Sequence, residues 1–407
     1  MQLSRRALLG TAAAIPALAA TRPARAQRPV LKIGVLTDLS GPYQDIVGPL
    51  TVDAVKLAVA DFGVSAKGFD VEVVAADHQN KPDIGSNIAR QWYDRDGVDV
   101  IMEGGSSAVA LAVAGVAKDK NKAYINSGAA TSDLTGAQCN ACTLHWTYDT
   151  YMLAKSTGAA MVKAGGDSWF FITADYAFGH ALSRDVGNFV TKAGGKLLGG
   201  VRTPFPGTTD FSSYLLQAQS SGAKVIGLAN AGSDTANCIK QAKEFGITAS
   251  LAGLLVFLSD IHSLGLDVCQ GLVLTESFYW NHNDRTRAFS DRLWKLAPGR
   301  RPGMAQAGPY SSAIHYLKGA VEMGPAAIKK DGAATIAQLK KMPTDDDVFG
   351  PGVIRQDGRK LHPSFLFQVK KPSESKGAWD YYNLIGTTPA DEAFRPMAEG
   401  GCSLVKA

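Results

Sequence analysis

Two short stretches carry the residue types that grip a small anion. Gly104-Gly105-Ser106-Ser107 closes an apolar run and opens a helical one. Its backbone N–H groups and hydroxyls therefore face the carboxyl edge of a strand, where open α/β sheets bind ligands. The first N–H groups of a helix have no partner within it and attract negative charge. The segment from Ile125 to Thr135 repeats the arrangement after the next strand. There Gly128, Ala129 and Ala130 let a ligand approach the backbone, while Ser127 and Thr131 add hydroxyls. Neither stretch contains Lys or Arg, so a carboxylate suits the pair better than a phosphate. The plainer alternative is N-capping of the helix by Ser106 or Ser107.

Signatures of catalysis are missing. There is no G-x-S-x-G, no H-E-x-x-H and no G-x-x-x-x-G-K-[ST]. Among the seven His, His78, His180, His262 and His282 have no His or Cys partner one helical turn away. Five cysteines leave at least one unpaired within the chain. Cys139 and Cys142 form a C-x-x-C, but in a loop ahead of Thr-Leu-His-Trp and without a second ligand pair, which argues against redox or zinc chemistry. A structural disulfide involving Cys139, Cys142 or Cys402 is the expectation, with no metal and no cofactor.

The elements that position these stretches follow from periodicity. Apolar runs at Leu31–Leu36, Phe69–Ala76, Val98–Met102 and Ala123–Asn126 read as strands, with helices at Leu50–Phe62 and Ser107–Asp119. Uninterrupted apolar strands alternating with helices imply a parallel sheet buried on both faces. The pattern restarts after Tyr148: helices at Tyr151–Lys163, His180–Ala193, Phe211–Ser220 and Thr235–Phe245 alternate with strands at Trp169–Thr173, Leu197–Val201, Val225–Ala229, Leu251–Phe257 and Leu272–Leu274. Thr286 to Met342 is mostly helical, and Val353 to Val369 is strand-like. Two doubly wound α/β lobes result, and the absence of a long Ser/Gly/Pro linker favours a ligand cleft between them.

The first 27 residues stand apart. Arg5-Arg6, the Ala/Leu-rich run from Ala7 to Ala20 and Ala24-Arg25-Ala26 read as an export signal cleaved near Ala26/Gln27, with the paired arginines pointing to the twin-arginine route. Cleavage leaves about 380 residues, enough for two lobes. It also takes the formal charge from +5 to +1, since the leader holds four Arg and no acid. A nearly neutral mature chain argues against nucleic acid as a partner.

The leader, the strand KIGVLTDLSGPY, the loop EGGSSAVALAVAGVA, the segment INSGAATSDLT, the runs FFITADYAFG and PFPGTTDFSSYLLQAQSSGAKVIGLANAGSDTANCIKQAKEFGI, and QAGPYSSAIHYL together resemble the type I periplasmic solute-binding proteins of ABC importers. The branched-chain amino-acid-binding (Leu/Ile/Val-binding) family is the nearest in kind. The resemblance covers nearly all of the mature chain. It implies two α/β lobes joined by three hinge crossings: residues 28–147 with about 278–348 in the first, 148–277 with about 349–386 in the second, and 387–407 as a tail. It also implies a monomer that closes on one small molecule and docks on permease subunits in the inner membrane.

Carried over by position, Ser106, with Ser107 beside it, matches the serine that holds the ligand carboxylate. Gly128, Ala129, Ala130 and Thr131 match the loop that adds backbone groups, with Ala130 standing where the family has a threonine. Tyr176 matches a pocket-wall aromatic, and Tyr279, Trp280 and Tyr310 are expected to close over the ligand body. Two departures matter. Leu255, in the run Gly253-Leu254-Leu255-Val256-Phe257, stands where amino-acid binders place the acid that holds the ligand ammonium. Ala231 or Gly232 stands where they place a tyrosine. A carboxylate without an α-ammonium, with an aromatic, keto or short acyl body, is therefore the expected ligand. A branched-chain or other neutral amino acid is the alternative, with Asp234 or Glu276 supplying the missing charge. A periplasmic ligand sensor and an exported enzyme are the readings outside this class.

Overall fold

The computed structural model describes residues 28–405, so the export signal and cleavage site lie outside the described residues. The first sheet is built from β1 (Val30–Thr37), β2 (Asp70–Asp77), β3 (Val100–Glu103), β4 (Ala123–Asn126) and β5 (Thr143–His145). Its order is β2-β1-β3-β4-β5 and every pair is parallel. Every residue of β3, β4 and β5 is buried, as strands covered on both faces must be. The connecting helices are α1 (Gln44–Val47), α2 (Pro49–Phe62), α3 (Pro82–Gln91) and α4 (Ser107–Lys120). Pro49 and Pro82 each sit in the first turn of their helix, where a missing N–H costs nothing.

The chain then crosses to a second unit containing α5 (Thr150–Leu153), α6 (Ala159–Lys163), β6 (Ser168–Ala174), α7 (Ala177–Lys192), β7 (Lys196–Thr203), α8 (Ser212–Ser220), β8 (Val225–Ala229), α9 (Ser233–Glu244), β9 (Ser250–Gly253), α10 (Leu258–Leu264), α11 (Leu266–Cys269) and β10 (Val273–Glu276). It crosses back to α12 (Asp284–Leu296), α13 (Met304–Met323) and α14 (Gly332–Lys341), of which α12 and α13 pack against α2. A third crossing delivers β11 (Ser364–Val369) and β12 (Tyr382–Thr388), followed by α15 (Ala390–Ala393). The second sheet has the order β12-β11-β10-β9-β8-β6-β7, parallel from β7 to β10 and antiparallel through β11 and β12. This is the two-lobed α/β architecture the alternation predicts.

Two local expectations change in detail. The helix predicted over Tyr151–Lys163 forms, with α5 and α6 joined without interruption by a π-helical turn at Ala154–Gly158, within which Thr157 Oγ1 lies 2.7 Å from Thr275 Oγ1 on β10. The strand predicted over Leu251–Phe257 ends at Gly253, and Leu254 to Phe257 form a buried loop instead. An apolar run records burial, not whether the backbone pairs in a sheet. The helix Pro82–Gln91 and the strand Tyr382–Thr388 were not assigned from the sequence. Cys139, in the loop before β5, is bonded to Cys402, while Cys142, Cys238 and Cys269 are free and buried. The C-x-x-C is thus one half of a long-range link beside a buried thiol.

The first and third crossings are joined by a buried basic cluster. Arg359 donates to the carbonyl of Thr147 at 3.1 Å, and His362 also bonds that carbonyl. Arg359 lies 3.6 Å from Asp149, whose other oxygen caps α5 through the N–H of Met152.

Candidate ligand site

Strand β3 runs out at Glu103, whose φ of 81° is the left-handed conformation a non-glycine residue rarely adopts. Gly104 (φ 136°) and Gly105 (φ 51°) continue the turn, and at Gly104 a Cβ would collide with the Tyr124 hydroxyl. Ser106 then occupies the N-cap of α4 with extended backbone, yet its side chain makes no capping bond. Its Oγ is buried and has no partner. Simple N-capping by Ser106 therefore does not account for it. Ser107 is engaged: its Oγ accepts the N–H of Thr131 at 3.1 Å, tying the two anion-type loops together.

The second loop is folded on Asn126. Its side chain accepts the N–H of Ala129 at 3.2 Å and donates to the Ala129 carbonyl at 2.8 Å. Tyr148 donates to the Gly128 carbonyl at 2.5 Å, and Thr131 Oγ1 accepts the N–H of Asp133 at 3.3 Å. Ala129 and Thr131 thus shape the loop without lining the cleft, whereas Gly128 and Ala130 form its wall.

Between the lobes lies a small, nearly filled cavity of about 20 Å³. Tyr43, Ile46, Gly105, Ser107, Gly128, Ala130 and Tyr148 line one side; Tyr176, Phe178, Ala231, Leu255 and Phe257 line the other. None of the twelve is charged. The lobes meet over it: the hydroxyls of Tyr43 and Tyr176, 133 residues apart, lie 2.5 Å from each other. Phe205 stacks on Tyr176 at 4.4 Å and on Tyr43 at 5.5 Å. Gly232 (φ 61°) faces Tyr43 and Ile46 so closely that a Cβ there would sit 3.3 Å from each. Glycine at that position lets the lobes close.

Three carboxyls lie buried around the cleft without forming its lining. Burial pushes Asp234, in the first turn of α9, up to about 7, and its Oδ2 has no partner. Burial likewise pushes Glu276 up to about 8; it accepts from the Met304 N–H at 3.4 Å and faces the Tyr382 hydroxyl. Glu103 is wholly buried, accepts the Gly105 N–H at 3.1 Å, and is also pushed up to about 8. Among the described residues no group of three or more His, Cys, Asp and Glu could hold a metal ion.

Three expected wall residues are elsewhere. Tyr279 donates to the Trp379 carbonyl at 3.2 Å and packs with Phe367 and Tyr382 in the second-lobe core. Tyr310 is buried where α13 packs on α2 and α12, 4.6 Å from the Phe289 ring, and its hydroxyl lies 2.9 Å from Asp61 and 3.1 Å from Arg292. Trp280 likewise bonds the Trp379 carbonyl and carries Arg301 over its ring. Sequence reasoning missed Tyr43, Ile46, Tyr148, Phe178 and Phe257. Tyr43 follows the carboxyl end of β1, so the strand-edge rule that found Ser106 would have found it as well.

The family model described as periplasmic binding protein matches residues 30–378. A periplasmic binding protein from Burkholderia mallei is 50% identical, with 93% of this chain and 100% of that one covered at a TM-score of 0.89. A branched chain amino acid ABC transporter periplasmic ligand-binding protein from Burkholderia xenovorans is 40% identical, covering 92% and 99% at a TM-score of 0.81. A Rhodopseudomonas palustris ABC-transporter solute-binding protein in complex with benzoate is 19% identical, covering 92% and 99% at a TM-score of 0.80, which is a likeness of fold.

Proposed function

We propose that the chain, which belongs to the periplasmic binding protein family and is a solute-binding protein of an ABC transporter, carries a small organic carboxylate with an aromatic, keto or short acyl body. It is a binding protein and not an enzyme, and its family places it in the periplasm. The observation that carries the ligand class is the uncharged cavity, in which Leu255 stands at the position expected for an ammonium-holding acid. Ser106 and the N–H groups at the start of α4 take the carboxylate, aided by the backbone of Gly128 to Ala130. Tyr176, Phe178, Leu255 and Phe257 cover the body. A benzoate-bound relative of the same fold supports an aromatic acid as one member of the class.

The lobes are divided as the sequence suggests, near residues 147, 278 and 348. The loaded, closed form is delivered to a permease in the inner membrane after export by the twin-arginine route.

The amino-acid reading retains one specific support. Asp234 presents a buried, unpartnered oxygen near the Tyr43–Tyr176 pair, and the 40% identical Burkholderia xenovorans protein is named for branched-chain amino acids. Calorimetry with matched pairs separates the two: leucine against 4-methyl-2-oxopentanoate, and phenylalanine against benzoate. The carboxylate reading requires the acid without the ammonium to bind more tightly in each pair. Tighter binding of the amino acids would transfer the assignment to Asp234 and the alternative.

A further inference from the structure

The Glu103 carboxyl lies directly behind the first-lobe wall of the cavity. A Cβ on Gly128 would collide with its Oε1, and Gly105, whose N–H that oxygen accepts, is a wall residue too. Its Oε2 is buried and has no partner. The next residue but two, Ser106, has a buried hydroxyl without a partner as well. Val47 packs beside Gly105 and Gly128, and the Tyr124 hydroxyl donates to the Glu103 backbone carbonyl at 2.8 Å, both from the first lobe.

The titratable groups that face it supply no positive charge. Tyr124 and Tyr148 are held far above the ordinary tyrosine range by burial, and His78, beside Gly105, is held down at about 4 and is neutral. No Lys or Arg pairs with Glu103 among the described residues. A buried carboxylate with neither a cation nor a full set of donors is strongly disfavoured against its protonated form.

We infer that Glu103 stands behind the Gly105–Gly128 wall as a neutral carboxylic acid and, by accepting the Gly105 N–H, holds that wall in place for the bound carboxylate. This rests on the carboxylate reading above and deepens it. The site accepts an anion beside an acidic residue because that residue is uncharged, and ionisation of Glu103, with its proton lost to solvent, sets two negative charges against each other.

Glu103→Gln keeps the neutral shape, an acceptor for the Gly105 N–H and a donor in place of Oε2–H. Calorimetry with benzoate and 4-methyl-2-oxopentanoate from pH 6 to 9 is the test. The natural protein should bind about tenfold more weakly at pH 9 than at pH 7, by linkage to a group titrating near 8. E103Q should show only the dependence that other groups impose on both proteins. E103D, whose shorter side chain withdraws the acceptor from the Gly105 N–H, should weaken binding throughout. In the ligand-free protein, infrared difference spectra at pH 6.5 should contain a protonated-carboxyl band that E103Q lacks. Matching pH profiles for the natural protein and E103Q, or a missing band, overturns the inference while leaving the carboxylate reading standing. If neither acid binds, or the matched amino acids bind better, the carboxylate reading fails and takes the inference with it.

Discussion

The two walls of the cleft are built from the same kind of element and present opposite chemistry. On the first lobe, strand ends run into glycine-rich turns that expose backbone, with Ser106 unpartnered and Glu103 buried behind. On the second lobe, the corresponding strand ends carry Tyr176, Phe178, Leu255 and Phe257, a surface of rings and methyl groups. The strand-edge rule says where a ligand binds; the side chains on each edge say which end of it goes where. A molecule with one anionic end and one apolar end has a single orientation here.

The sharpest way to break the asymmetry is to charge the apolar wall. Leu255→Glu should cost carboxylates at least a hundredfold in affinity, because an unpaired buried charge costs roughly 3 kcal/mol or more, and it should improve leucine relative to 4-methyl-2-oxopentanoate. Calorimetry on that pair reads both, with a thermal melt as the folding control. Removing the polar grip is the next largest effect. Ser106→Ala should weaken carboxylate binding about tenfold to a hundredfold, since hydrogen bonds to charged groups contribute roughly 1.5–3 kcal/mol. An unaltered affinity would leave the orphaned hydroxyl without a role.

Tyr43→Phe tests the contact that joins the walls. The tyrosine pair is a neutral hydrogen bond across the lobes, worth about 0.5–1.5 kcal/mol. Affinity should therefore fall roughly two- to tenfold. Small-angle scattering should show a smaller contraction at subsaturating ligand, and Tyr176→Phe added to it should cost little more.

The smallest effect belongs to Asp234. Its proton is held more tightly in the folded protein than in the unfolded chain, so between about pH 4 and 7 the folded state binds more protons and stability falls as pH rises. Asp234→Asn should flatten that part of the melting-temperature profile. An unchanged profile would mean that Asp234 is ionised and paired in solution, which favours an ammonium partner.

The lobes and the Gly/Ser part of the first wall were legible from sequence, because continuous apolar runs and small-residue strand ends report burial and topology directly, whereas Tyr43, Ile46 and Tyr148 were not. The second wall was legible only at Tyr176, Ala231 and Leu255. Tyr279 and Tyr310 were misplaced because an aromatic on a helix or after a strand has no sequence mark for which face its neighbours cover. Tyr310 is held inside the first lobe by the packing of α13 and α12 on α2, and Tyr279 is drawn into the second by β11 and β12, strands that arrive roughly a hundred residues later. Glu103 was hidden for a different reason: one acid at the end of an apolar strand reads as a solvent-facing terminus until the turn that buries it is seen.

The Cys139–Cys402 link joins positions 263 apart in sequence. All of the second sheet lies inside that ring. The bond cannot form until the last residues of the chain are made, so any truncated or nicked product lacking Cys402 is chemically distinguishable from the finished protein. If export proceeds in the folded state, both lobes must already hold together in a reducing compartment, and oxidation afterwards seals a molecule that is complete. The ring is closed beside the first lobe, where Gly400 and Arg395 lie against Gly136, so the segment after β12 is fastened to the lobe in which the first sheet lies.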